Sequence, residues 1–497
     1  MDVTMNAMRT LLLAGLATLV ASSGGAQVPL TLDTTFRCTQ ILYPGLSDAM
    51  PLVDGSVVVT GAFQLAPNFP TGWLRLLQNG ILDGLWPITP AGGGDIHAFG
   101  PYYYTSGSHA PMRFFQETGA IDPNFPIANA NQPFPDLSFL NNGGIFIQAD
   151  GKVLFTGDHQ LGYPYGPNAP SYYSLLRLNT DATLDSSFHY RKTNGVIWTI
   201  EPTTLGRFLL SGVYSTYEGG PAGRILRIWP DGSLDSTFHS DISRGYAKYL
   251  LEQPGGRIIA GGQFVFPNEP DTMHLIRLMP DGTLDLGFNN HAEYKDIPTY
   301  SFGDFGISVD AVLQLGDGTI MVGGSFTHID GQLRRGIALL DSTGHLLNTA
   351  FTGQGCGLTH DYNSTFMYSG ITSITPAPDG SIFLAGAFEG FDDGTVNDPA
   401  QRMICKLHGL TTGVQDRGVG LPGLRVFPNP GSEMLHVQTG VPGSMHVRVL
   451  DGTGRTVMAA SGKEGSMQLD CGPLALGVYL LEVRTDKGRR TVKWTKR

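Results

Sequence analysis

LDTTF, residues 32–36, is the first copy of a phrase that punctuates the chain. It returns as LDGLW at 82–86, IDPNF at 121–125, LDSSF at 184–188, LDSTF at 234–238, LDLGF at 284–288 and the degenerate LNTAF at 347–351. A second phrase, Gly-x-aromatic or Gly-x-His, begins at Gly61, Gly107, Gly157, Gly212, Gly262, Gly324 and Gly386. The two phrases alternate, and the last glycine has no LDxxF after it. The N-terminal copy is therefore expected to complete the final repeat and close the array into a ring.

Around each pair of phrases lie short Val-, Ile- and Leu-rich runs bounded by Asp-Gly or Gly, which are strand and hairpin signals. ISVDAVLQL, GDG, TIMVGGSF, GIALLDS and LLNTAF, between 307 and 351, show the plan most clearly. Helical periodicity is absent beyond the N-terminal leader, so the class is all-β. From Leu32 to Leu407 there are 376 residues, and seven units give about 54 each, near the ~50 of a kelch blade. The expectation is a seven-bladed β-propeller, residues 27–408, closed by the N-terminal strand. The second unit is the weakest match, and a six-bladed ring with an insertion is the alternative count.

Composition bounds the rest. Among 497 residues, 41% are hydrophobic and 10% aromatic, enough to bury cores and to exclude disorder. The net charge is −11. Residues 421–497 alone carry 11 Lys+Arg against 6 Asp+Glu, or +5, which leaves −16 for the remainder. Nucleic acid is excluded as a partner for so acidic a body. Residues 1–26, with Arg9, an apolar run Leu11–Val20 and small residues up to Ala26, read as a signal peptide. No later run reaches the ~18 apolar residues of a membrane helix. Cys38, Cys356, Cys405 and Cys471 lack zinc spacing; Cys38 and Cys405 fall in the same closing repeat and are the one pair considered for a disulfide.

No catalytic, metal or cofactor residues are assigned. Asp185, Asp235 and Asp285 recur at one repeat position, where an acid beside a turn caps backbone amides. Calcium is the competing reading, and DDGTVND at 392–398 comes nearest to a calcium loop. His109 and His159 occupy a slot filled elsewhere by Phe63, Phe264, Phe326 and Phe388, and read as packing rings. Tight turns join strands one to two and three to four, so the remaining, longer connections should share the opposite face. HQLGYPYGPNAPSY at 159–172 is one of these. Its Tyr163, Tyr165 and Tyr172, with the adjoining Tyr173, are the candidate ligand contacts for a glycan or a protein.

The repeats resemble the bacterial delta-60 repeat, whose phrases are matched best by IWPDGSLDSTF at 228–238 and LMPDGTLDLGF at 278–288. That resemblance implies a propeller-like body and no particular ligand. After the Gly-rich linker 409–423 the register changes to six or seven alternating strands, enough for a small immunoglobulin-like β-sandwich. Residues 424–497 closely resemble the C-terminal sorting domain of cargo of the type IX secretion system of Bacteroidota. The match lies in Pro428, Asn429 and Pro430, in LDGTGR at 450–455, in LALGVYLLEV at 474–483 with Gly477 and Tyr479, and in the basic end from Lys493. It implies export through the periplasm and across the outer membrane, with the secretion machinery as partner. Two functions remain open: a non-catalytic binding or adhesion scaffold, and an extracellular enzyme acting on polysaccharide.

Overall fold

Alternating apolar residues separated by glycine-containing turns give strands, and the computed structural model contains no helix among its described residues. Those residues are 29–65, 70–107, 110–125, 137–161, 171–267, 269, 271–295, 306–360 and 367–409, followed by 425–427, 431, 433–439, 443–450, 456–462, 465–475, 477–485 and 488–496. The chain divides into two compact units, Met1–Thr411 and Thr412–Arg497.

In the first unit, one antiparallel plan recurs. The first sheet pairs Leu42–Pro51 with Val57–Gln64 and Val57–Gln64 with Pro70–Leu76. The second uses three strands of four residues each, Ile96–Phe99, Tyr102–Thr105 and Met112–Phe115. The third to sixth begin at Leu137, Val196, Arg244 and Ser308. The seventh joins Gly370–Pro376, Ile382–Asp392 and Asn397–His408. In the first five, the LDxxF phrase turns back on the third strand through single bridges such as Leu76 to Leu82 and Leu278 to Leu284, and in the sixth the bridge joins Leu340 to Leu346, just before LNTAF. The seventh has no such phrase after it, and Thr31–Leu32 pairs there instead, Thr31 opposite His408 and Leu32 opposite Leu407. First strands of successive sheets lie against one another from the first sheet to the seventh, and that of the seventh returns to that of the first.

The Gly-x-aromatic phrase is explained by a β-bulge. In six sheets the register slips opposite this glycine, as between Val309 and Ala311, so two residues of the first strand crowd one of the second. A Cβ on Gly324 would lie 2.1 Å from the Ser308 carbonyl oxygen, and one on Gly262 would lie 2.2 Å from that of Tyr246. The aromatic two residues later, Phe63, Phe264, Phe326 or Phe388, is buried between sheets.

All four cysteines are reduced and buried. Cys38 and Cys405 do not pair, for a reason of strand alternation. Cys38 packs with Phe36, Phe383 and Ile404 on the first-sheet side of Asn397–His408, whereas Cys405 faces Leu384, Ile371 and Met321 on the sixth-sheet side.

The C-terminal unit has a three-stranded sheet, Arg425–Phe427, Met434–Gln438 and Ser466–Asp470. A second, four-stranded sheet comprises Thr456–Gly462, Met445–Leu450, Gly477–Thr485 and Gly488–Lys496. Both contribute to one core, Leu435, Val437 and Leu469 meeting Val447, Val449, Leu481 and the fully buried Trp494.

Candidate functional site

The repeated acids are structural. Asp285 Oδ1 accepts the Gly287 N–H at 2.9 Å, while Oδ2 accepts Arg277 Nε at 2.8 Å, and that guanidinium lies 4.7 Å from the Phe288 ring. The same triad joins Arg177, Asp185 and Phe188, and Arg227, Asp235 and Phe238. It recurs with Arg75, Asp83 and Trp86, and with Arg113, Asp122 and Phe125. Both oxygens are spent on turn amides and an arginine, so the set is a cap and clamp. The arginine, eight residues before the acid in four of the triads and nine in Arg113/Asp122, is the partner that reading LDxxF alone misses. Asp393, in the calcium-like segment, is engaged as well. Its Oδ2 accepts the Leu32 N–H at 2.6 Å, and Oδ1 accepts those of Thr395 and Val396. That carboxylate holds the N-terminal strand in place.

His159 is fully buried against Phe155, with ring centroids 4.9 Å apart. Burial pushes it down to about 4, against the opposing effect of the Thr156 carbonyl. It is a neutral packing ring. His109 lies outside the described residues, as do Tyr163 and Tyr165.

Tyr172 and Tyr173 are described and face opposite ways on Ser171–Leu178. Tyr172 is 46% exposed. Tyr173 lines an open depression of about 620 Å³ with Ser186, Ser187, Phe188, His189, Tyr190, Lys192 and Glu218. Residues 189–195 connect the third sheet to the fourth, and Glu218 sits in the hairpin Thr216–Tyr217/Gly220–Pro221 between the second and third strands of the fourth. The depression thus lies between the connection from the third sheet to the fourth and this hairpin of the fourth. Its floor is fixed by backbone: Glu218 N–H donates to the Lys192 carbonyl at 2.9 Å, and Lys192 N–H donates to Glu218 Oε1 at 2.7 Å. Tyr173 and Tyr190 meet edge to face at 5.6 Å, and Lys192 Nζ stands 4.7 Å from the Tyr173 ring.

A second constellation lies on the first strands, and no motif announces it. Asp95, just before the second sheet, acts electrostatically on Asp48 of the first and on Glu201 of the fourth, and all three act on Tyr249 of the fifth. Asp48 Oδ1 accepts the Ser373 hydroxyl of the seventh sheet, and Oδ2 accepts the Ile96 N–H at 2.9 Å. Water reaches these groups, Asp95 most, yet strands of several sheets surround them. Burial, then the Asp95 charge, pushes the Asp48 carboxyl up to about 7, although the Ser373, Ile96 and Ala49 donors pull the other way. Burial, again with Asp95 second, pushes Glu201 up to about 8. Burial lowers His97, beside Asp95, whose charge opposes the shift. Acids held partly neutral near pH 7 are the raw material of general acid–base chemistry. Among the described residues, no group of three or more His, Cys, Asp or Glu is arranged to hold a metal ion.

In the C-terminal unit, Tyr479 is buried, donates its hydroxyl to the Ala475 carbonyl at 2.8 Å and packs 5.9 Å from Trp494. Gly477 opens its strand opposite Lys496, and Lys493 lies opposite Leu480. Pro428, Asn429 and Pro430 fall outside the described residues.

Residues 425–497 match the secretion system C-terminal sorting domain. Segments 148–188, 206–238, 253–288 and 315–346 match the DUF5122 β-propeller, a domain of unknown function. The chain is therefore a β-propeller protein that carries a type IX secretion tail. Such a tail indicates export, to the outer surface or beyond it, and implies contact with the secretion machinery. No helix of the described residues is long and apolar enough to cross a membrane.

No curated protein matches. Among solved structures, the chain is similar to PorZ, an essential bacterial surface component of the type IX secretion system of Porphyromonas gingivalis. The identity is 11% over 90% of this chain and 64% of that one, with a TM-score of 0.33. It is also similar to the extracellular domain of a protein described as a hybrid two-component system of B. thetaiotaomicron, at 12% identity over 95% and 60% of the two chains and a TM-score of 0.41. This chain spans less than two thirds of the length of either.

Proposed function

We propose that this protein is an exported seven-bladed propeller, closed by its own N-terminal strand, that works without catalysis as a binding or adhesion scaffold. The unbroken succession of first strands and the pairing of Thr31–Leu32 with the seventh sheet support the count and the closure. Residues 1–26 direct entry to the periplasm and are removed. The linker 409–423 frees an immunoglobulin-like sorting domain, 424–497, and Pro428, Asn429, Pro430, Gly477, Tyr479 and Lys493 serve its recognition or folding. The observation that carries the binding role is the depression beside Tyr173, which lies among the longer connections and offers rings, hydroxyls and charges together. Two experiments test the reading. Deleting 425–497 should hold the protein in the periplasm, and undiminished delivery to the surface would refute the export route. Arrays of glycans and of surface proteins probed with the secreted protein should yield a saturable ligand, and silence on both would refute the binding role.

A second reading is favoured by Asp48, Asp95 and Glu201: an extracellular polysaccharide hydrolase in which a neutral acid on one first strand protonates the leaving oxygen and an ionised one on another assists. Activity on a polysaccharide panel, lost in Glu201→Gln and in Asp48→Asn, would establish it. Equal activity in the variants would remove it.

A further inference from the structure

We propose that the depression at the seam of the third and fourth sheets binds an anionic saccharide, a segment bearing a carboxylate or a sulfate ester, with Lys192 as the charge partner and Tyr173 and Tyr190 as the apolar walls. The inference rests on the binding reading above and names the ligand class of that site.

Charge bookkeeping within the depression comes first. Glu218 is answered by the protein: its Oε2 lies 3.3 Å from His189 Nε2 and 3.7 Å from Arg191 Nη1, and its Oε1 accepts the Lys192 N–H. The Lys192 ammonium, by contrast, has no carboxylate within ion-pair range among the described residues, only the Tyr173 ring. Nor could the neighbouring segment 162–170 supply one, since GYPYGPNAP contains no acid. One uncompensated cation therefore faces solvent on a chain of net charge −11, and a ligand that brings its own anion completes the pair.

The walls fit a sugar. Tyr173 and Tyr190 are half-buried, so each is held by packing while its remaining surface is open to the depression. Tyrosine offers a flat apolar face and a polar tip at small entropic cost. The Ser186 hydroxyl and His189 add donors and acceptors at the rim. The volume of about 620 Å³ falls within the ~300–1,000 Å³ of small-ligand sites.

The hairpin that carries Glu218 is built at a conformational cost. Glu218 has φ 51° and Gly219 φ 80°, a tight turn that favours Asn, Asp or Gly at its first central position. In the sixth sheet the equivalent turn has Asp330 and Gly331, at 48° and 75°. Asp330 Oδ1 accepts the Glu293 N–H as Glu218 Oε1 accepts the Lys192 N–H, and the longer acid at Glu218 also reaches His189 and Arg191. Glu218 is thus engaged by His189 and Arg191, and Lys192 is left without a carboxylate among the described residues.

Isothermal titration of the secreted protein with oligogalacturonate, with a sulfated dextran oligomer and with neutral maltohexaose tests the assignment. Saturable binding of at least one anionic oligomer, weakened by salt and absent for maltohexaose, is expected; the two anionic arms identify the group preferred. Lys192→Gln should weaken it about tenfold, the effect of losing one charge-assisted hydrogen bond, with an unchanged melting temperature. Lys192→Arg should restore most of the affinity. Equal affinity for the neutral oligomer, or no effect of Lys192→Gln on an anionic ligand, would overturn the site while leaving the scaffold reading intact. Binding to protein partners alone would overturn the saccharide class.

Discussion

Phe36 lies four residues after the strand that joins the two ends of the first unit, and Phe36→Ala tests whether that junction holds the whole array. The ring is fully buried and meets Phe383 edge to face, with centroids 5.1 Å apart and planes at 87°. Around it are Cys38, Ile41, Val57, Leu76, Met403 and Ile404, drawn from the first and seventh sheets. Truncating a buried phenylalanine costs about 3–5 kcal/mol in lost transfer energy and cavity. In a unit this large each kcal/mol moves the melting temperature by ~2 °C, so a fall on the order of 5–10 °C is expected. Phe264→Ala, in the fifth sheet and equally buried, provides a reference of similar cost. In a closed array both variants lower a single cooperative transition. In an open one, Phe36→Ala would loosen only the terminal sheet and leave the others at their original stability. Hydrogen exchange read by mass spectrometry separates the cases. Closure predicts parallel loss of protection in Leu42–Pro51, Ile382–Asp392 and Asn397–His408, together with the lowered global transition. Loss confined to residues 29–41, with the seventh sheet and the melting temperature unchanged, would refute the reasoning.

Asp235 offers a test of the clamp. Burial raises this carboxyl, but the Thr237 hydroxyl and amide and the Arg227 guanidinium outweigh it and hold it at about 2. The unfolded value is ~3.9, so the clamp stabilises fully above ~4, and its contribution is lost as pH falls through about 2. Asp235→Asn should cost about 3 kcal/mol at pH 7 and flatten the acid limb of a urea-midpoint profile; an unaltered limb would count against it. Glu201 has the opposite sign. The fold keeps its proton up to about 8, whereas the unfolded chain releases it near ~4.3, so stability declines as pH rises between those values. Glu201→Gln should remove that slope and raise the melting temperature at pH 8, and parallel profiles would dismiss the effect. Gly324→Ala, whose Cβ would meet backbone at 2.1 Å, should cost at least ~2 kcal/mol. Gly84→Ala, with nothing within 4 Å, should be near neutral by the same thermal assay. Equal costs would refute the close-approach account of the repeated glycine.

Much of the body was legible because the phrases that repeat are those the sheet itself demands. The orphan LDTTF foretold the pairing of Leu32 with Leu407. Three other features were not legible. The clamp needs the arginine eight or nine residues upstream, which alternation marks only as a polar position in a strand. The disulfide expectation for Cys38 and Cys405 respected their shared sheet but not strand parity, and parity sends Cys405 to the opposite face. The acids on the first strands could not be read at all, since their proximity depends on how distant sheets succeed one another.

Those acids differ in kind from the repeated ones. The residue that resumes the register just after the bulge is Asp48 in the first sheet, Thr199 in the fourth, Tyr249 in the fifth, Ala311 in the sixth and Ser373 in the seventh. A position that accepts Thr, Tyr, Ala and Ser places no demand for a carboxylate on the sheet. Asp48 at that position, and Glu201 two residues beyond it in the fourth sheet, are moreover destabilising when ionised, because burial opposes their charge. Asp185, Asp235 and Asp285, by contrast, sit where every turn needs an acceptor and an arginine needs a partner, and their fields are fully compensated. The Lys192 site obeys the same logic as the first-strand acids: the equivalent position in the sixth sheet holds Glu293, and no carboxylate among the described residues pairs with the Lys192 ammonium. In this chain, what recurs builds the sheets. The uncompensated, unrepeated charges are the places where binding or chemistry can reside.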